Sequence, residues 1–130
     1  MKSMFKALII IGYLAVTVSG VHAQTPPAAS SNIATKLIVR GDLQGLQVID
    51  LRSQRRGDVL VVQAQVANLE IRDLRLYYRF RWTDSAGMLV GDGEVWKPMG
   101  FMGKQSQMLS GVAPGPQAAD FNIEMSAEPR

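Results

Sequence analysis

Nine consecutive residues, Leu74-Arg75-Leu76-Tyr77-Tyr78-Arg79-Phe80-Arg81-Trp82, carry an apolar or aromatic side chain at every even position and Arg, Tyr, Arg and Arg between them. Successive side chains of an extended chain point to opposite sides of the pleat, so a repeat of two means a strand with one dry face and one wet face. The pattern predicts Leu74, Leu76, Tyr78, Phe80 and Trp82 in a core, and Arg75, Tyr77, Arg79 and Arg81 at a surface. A slip of one residue would expose the whole aromatic set, so the register is strongly specified.

Other short apolar or alternating runs follow the same logic: Lys36 to Arg40, Leu46 to Arg52, Val59 to Ala67, Met88 to Val90 with a continuation at Glu94 to Trp96, Gln105 to Val112, and Ala119 to Met125. Turn residues separate them at Gly41-Asp42, Arg56-Gly57-Asp58, Asp84-Ser85-Ala86-Gly87 and Ala113-Pro114-Gly115-Pro116. No window supports a long amphipathic helix, and no internal repeat is present. About seven short strands with regular punctuation predict an all-β fold, an antiparallel β-sandwich of the immunoglobulin or fibronectin kind. In the last strand Phe121, Ile123 and Met125 alternate with Asp120, Asn122 and Glu124, which gives it an acidic outer face. Beside the basic strand it would set Asp120 or Glu124 against Arg75, Arg79 or Arg81, at about 0.2 to 1 kcal/mol per exposed pair.

The first 34 residues read differently. Lys2 and Lys6 precede an uncharged run from Ala7 to Val18, and Val21-His22-Ala23 has the small residues of a cleavage site, so residues 1–23 are expected to be a secretory signal peptide. The run is shorter than the roughly 18 apolar residues of a membrane anchor. The position where a lipoprotein carries its cysteine is Val21, so no lipidation is expected and the exported form should be periplasmic or secreted. Residues 24–34, rich in Pro, Ala and Ser, are expected to be a flexible linker before a domain over 35–126, with 127–130 as a tail. Without residues 1–23, twelve basic residues face eleven acidic ones, and a net charge of +1 gives no reason to expect nucleic-acid binding.

Val66-Ala67-Asn68, the Leu76 to Trp82 strand, Asp84 with Gly87, Trp96, Gly111-Val112-Ala113-Pro114 and Ala119-Asp120-Phe121 together resemble the YcfL family of small bacterial envelope proteins. The resemblance covers roughly residues 36–125 and implies an immunoglobulin- or fibronectin-type sandwich. It implies no activity and no catalytic residues, and Val21 departs from the lipoprotein members.

The chain has no cysteine, and its one histidine, His22, lies in the expected signal peptide. Hydroxyl or thiol nucleophiles that need an imidazole base, and zinc sites built on Cys and His, are therefore not expected, and no cofactor is. Asp84, Asp92 and Glu94 are the carboxylates nearest one another for acid–base work of a hydrolase on glycan or peptide, and a solvated turn is the simpler reading of them. Gly91-Asp92-Gly93-Glu94 lacks the context of a phosphate or calcium loop and reads as a bent connection. Two segments remain as candidate partner surfaces. Arg72, Arg75, Arg79 and Arg81 with Tyr77 form a basic stripe suited to carboxylate or phosphate, unless acids on neighbouring strands balance it. Trp96 to Gly103 is too apolar for an ordinary loop and too broken by Pro98, Gly100 and Gly103 for a strand. Either it caps the core, or it offers Met99, Phe101 and Met102 outward to a partner while Trp96 packs inward as its root. The leading expectation is a non-catalytic envelope module contacting another envelope protein or a cell-wall component, with a carboxylate-based hydrolase or a strand-addition chaperone or subunit as alternatives.

Overall fold

A computed structural model describes residues 28–129; the expected signal peptide and cleavage site lie outside the described residues. The chain folds as α1 (Ala28–Lys36), β1 (Leu37–Arg40), β2 (Leu46–Arg56), β3 (Val59–Asn68), β4 (Leu74–Thr83), β5 (Lys97–Phe101), β6 (Ser106–Val112) and β7 (Asp120–Ser126). The strands form two facing sheets, one ordered β1-β7-β4-β5 and the other β2-β3-β6. This is the predicted all-β sandwich. Its pairings are antiparallel except one, because β1 runs parallel to β7.

The dry face of β4 is the one the alternation predicts. Leu76, Tyr78, Phe80 and Trp82 are buried, and they meet Phe121, Ile123 and Met125 of β7 beside them. Leu46, Val48, Leu60, Val62, Ala64, Val66 and Leu109 close the core from the opposite sheet. Phe80 and Trp82 stack with ring centroids 5.4 Å apart, and Tyr78 meets Phe80 edge-on at 6.2 Å. The Phe80 ring lies so close to Gly111 that a Cβ there would sit 2.7 Å from it, which accounts for a glycine inside β6.

Buried Asn68 fastens two loops to the end of β3. Its Nδ2 donates to the carbonyls of Arg72 (2.8 Å) and Met102 (3.0 Å), and its Oδ1 accepts from the Glu70 amide (2.9 Å). The loops touch where Gly103 passes Ile71, leaving no room for a side chain.

Three expectations about local structure change. The expected linker is helical from Ala28, and Ile33 packs partly against the core, so this single apolar residue gives the segment something to bury. Met88 to Val90 is a turn folded back on β4, held by one bridge from Leu89 to Thr83 and by Asp84, whose Oδ1 accepts from the Ala86 and Met88 amides at 2.9 Å each. The fifth expected strand instead lies at Lys97–Phe101, in the segment expected to be too broken for one. Pro98 and Gly100 are tolerated because β5 is an edge strand, where a missing outward N–H breaks no pairing.

Candidate functional site

β4 and β7 lie side by side with Arg79 directly across from Glu124 and Arg81 across from Asn122. On the other flank of β7, β1 aligns Ile38 with Glu124 and Arg40 with Ser126. This register gathers three guanidinium groups around one carboxylate on the outer face of the four-stranded sheet. Arg40 Nε stands 3.1 Å from Glu124 Oε2, Arg79 Nη2 lies 3.3 Å from both carboxylate oxygens, and Arg81 Nε is 3.4 Å from Oε1.

Glu124 has 0% exposure although it sits on the outer face, while the Arg40, Arg79 and Arg81 side chains keep 45%, 31% and 44%. The guanidinium groups meet the carboxylate directly while the arginine side chains stay partly in water. Trp96 flanks the cluster: its ring centroid lies 4.7 Å from the Arg79 guanidinium carbon, a cation–π stack. Trp96 is thus on the outside of the sheet, contrary to the expected inward packing, because Arg79 gives the indole a flat partner there.

Three positive charges against one negative leave a surplus of two on this face. Of the acids nearby on β7, Asp120 is taken by Lys36 Nζ at 2.5 Å. That hydrogen bond, with smaller help from the Phe121 amide and the lysine charge, holds the Asp120 carboxyl below its ordinary value against the opposing effect of burial. A guanidinium presents five N–H groups and a carboxylate accepts about four hydrogen bonds, so Glu124 cannot occupy the donors around it. Arg79 Nε is buried without a hydrogen-bond partner. The cluster therefore keeps guanidinium N–H groups that Glu124 does not bond and a surplus of positive charge, with Trp96 as an aromatic flank.

Of the residues predicted for a partner surface, Arg79 and Arg81 come together here and half-buried Tyr77 adjoins them on the same face of β4. Arg75 stands apart, on an open groove of about 580 Å³ shared with Asp73, Phe101, Met102 and Gln107. Arg72 has left the stripe for a loop, where it donates to Gln44 at 3.0 Å. The expected apolar patch does not form. Phe101 and Met99 lie opposite Leu74 and Leu76 on the inner side of β5, so Phe101 is 1% exposed and Met99 packs against the core, while Met102 alone turns outward. Sequence reasoning missed Arg40, because nothing local reveals that a four-residue strand lies parallel to the last one.

Of the loop carboxylates, Asp92 and Glu94 both line a small cavity of about 80 Å³ beside Trp82 and Pro114, and Asp84 does not line it. Asp84 accepts from its own turn, and Glu94 accepts from the buried indole N–H of Trp82 at 3.1 Å and from Lys97 at 3.1 Å.

A family model described as a protein of unknown function (DUF1425) matches residues 37–127. The fold is similar to the crystal structure of Campylobacter jejuni cj0090, with a TM-score of 0.62 and 19% identity over 72% of this chain and 98% of that one. It is also similar to a DUF1425 family member from Shewanella sp. PV-4, with a TM-score of 0.59 and 23% identity over 65% of this chain and 80% of that one. No curated protein matches the chain.

Proposed function

The chain belongs to the DUF1425 family of proteins of unknown function, and for this member we propose a non-catalytic module of the cell envelope that holds an anionic group of another envelope component on the outer face of its four-stranded sheet. One observation carries the proposal: Arg40, Arg79 and Arg81 converge on a single carboxylate and leave two positive charges uncompensated. Balanced surface ion pairs serve solubility, whereas a preassembled surplus of guanidinium groups attracts a partner of opposite charge. Periplasmic or secreted location follows in this proposal from the N-terminal pattern of Lys2, Lys6, the apolar run and Ala23. The finer YcfL-like kinship belongs to the same reading. In that compartment, peptide carboxylates of the cell wall are the favoured ligand.

The test is an NMR titration of the folded domain with a muropeptide bearing free carboxylates, compared with its amidated counterpart. Shift changes should centre on Arg40, Arg81 and Trp96, appear only with the charged ligand, and weaken about tenfold in Arg81→Gln. Equal binding of both ligands, or changes confined to another face, would overturn the reading.

A further inference from the structure

Among the described residues four strands have a free edge, β1 and β5 in one sheet and β2 and β6 in the other. An open edge invites pairing with another chain unless something blocks it. β1 is only four residues long. β2 carries a bulge between Val48 and Asp50 and the charges of Asp50, Arg52, Arg55 and Arg56. In β5, Pro98 has no N–H, the Gly100 carbonyl accepts from Gln107 Nε2, and just beyond it the Met102 amide donates to Gln105 Oε1. Each of the three is blocked by a different device.

β6 has none of them. No charged residue occurs between Lys104 and Asp120, no proline interrupts the strand, and its seven residues pair with β3 in unbroken register. The bonds from the Asn68 amide to the Gln105 carbonyl and from the Ala113 amide to the Leu60 carbonyl fix the phase of this ladder. Gln105, Gln107, Leu109, Gly111 and Ala113 therefore bond toward β3, and Ser106, Met108, Ser110 and Val112 turn their N–H and C=O groups away from it. Met108 and Val112 are also exposed apolar side chains, at 51% and 64%.

We propose that the β6 edge pairs antiparallel with the β6 edge of a second copy, about a twofold axis at Leu109. That register sets Met108 opposite the second copy's Ser110 and Ser106 opposite its Val112, and no charge meets another charge. Met108 of each copy then lies diagonal to Met108 and Val112 of the other, so the four exposed apolar side chains form one covered stripe. The pairing is isologous, and it joins two three-stranded sheets into one of six whose outer edges are the two β2 strands. Those edges carry Arg52, Arg55 and Arg56, so assembly stops at two copies. A strand edge and two side chains per copy make a small interface, one that dissociates on dilution.

Sedimentation velocity on the purified protein over a concentration series tests this, alongside Met108→Lys, whose side chain is exposed and whose folding is checked by thermal unfolding. The expected result is a monomer–dimer equilibrium in the wild type and a monomer throughout in Met108→Lys with an unchanged melting temperature. The chain has no cysteine, so Met108→Cys/Ser110→Cys should form a disulfide-linked dimer on oxidation, and a Gln54→Cys control on the β2 edge should not. A wild type that stays monomeric at the highest attainable concentration without cross-linking overturns the proposal. So does a dimer that survives Met108→Lys, or an edge occupied only by a strand of a different protein.

Discussion

The two faces of the β4–β7 pair reach the same degree of burial by opposite chemistry. On the inner face Phe80 and Ile123 are 0% exposed because a second sheet covers them. On the outer face Glu124 is also 0% exposed, with no second sheet above it, where three guanidinium groups converge on it and an indole stacks on one of them. Apolar surface seeks cover from water in general, so the inner face accepts many arrangements of similar volume. A carboxylate is buried only when charged partners and hydrogen bonds replace its water, so the outer face depends on particular residues at particular registers.

The sharpest way to break this comparison is to remove one member from each face. Phe80→Ala should lower stability by about 3 to 5 kcal/mol in chemical denaturation, since a fully buried aromatic leaves a cavity. Glu124→Gln should cost about 2 to 3 kcal/mol, less than the loss of a fully buried ion pair because the arginines it abandons keep contact with water. Adding Arg79→Met should recover part of that loss, and a double-mutant cycle without coupling would mean that the outer cluster is not one unit. Gly111→Ala tests the inner face by excess rather than deficit: a methyl against the Phe80 ring should cost about 1 to 3 kcal/mol, and no cost would show that the ring is free to move.

The smallest expected effect lies at the rim of the outer face. Lys36→Met should raise the Asp120 carboxyl toward its ordinary value, as followed by NMR titration. The folded-state value is depressed in the wild type, so the pair's contribution is present above the ordinary carboxylate value and is lost as pH falls through the lowered one. Both side chains are substantially exposed, at 33% and 55%, and the difference at neutral pH should be only a few tenths of a kcal/mol.

The inner face was legible in the sequence because strand alternation and burial are local and redundant: the period-two patterns of 74–82 and 121–125 each select one register. The outer face was legible only by halves. The acid of β7 was matched to the bases of β4 from alternation, and Arg79 faces Glu124 as that match requires. Its energetics were misjudged, because an exposed pair was expected where the carboxylate is buried, and Arg40 and Trp96 arrive through a parallel pairing and a long loop that no local pattern encodes. β5 was hidden for a related reason. Proline and glycine argue against a strand inside a sheet but not at its edge, and edge position is a property of the whole topology.

The parallel seating of β1 against β7 also governs the order in which the molecule can be assembled. Leu37 and Ile123 are neighbours although 86 positions apart, and β7 supplies all of β1's pairing and one of the two partners of β4. Hairpins such as β2–β3 can zip early, but the four-stranded sheet stays incomplete until the last strand is available, and closing so long a loop is an intrinsically slow step. A chain cut before Asp120 should therefore hold no stable native state. Protease resistance in a series of C-terminal truncations should appear all at once, when the final strand is restored.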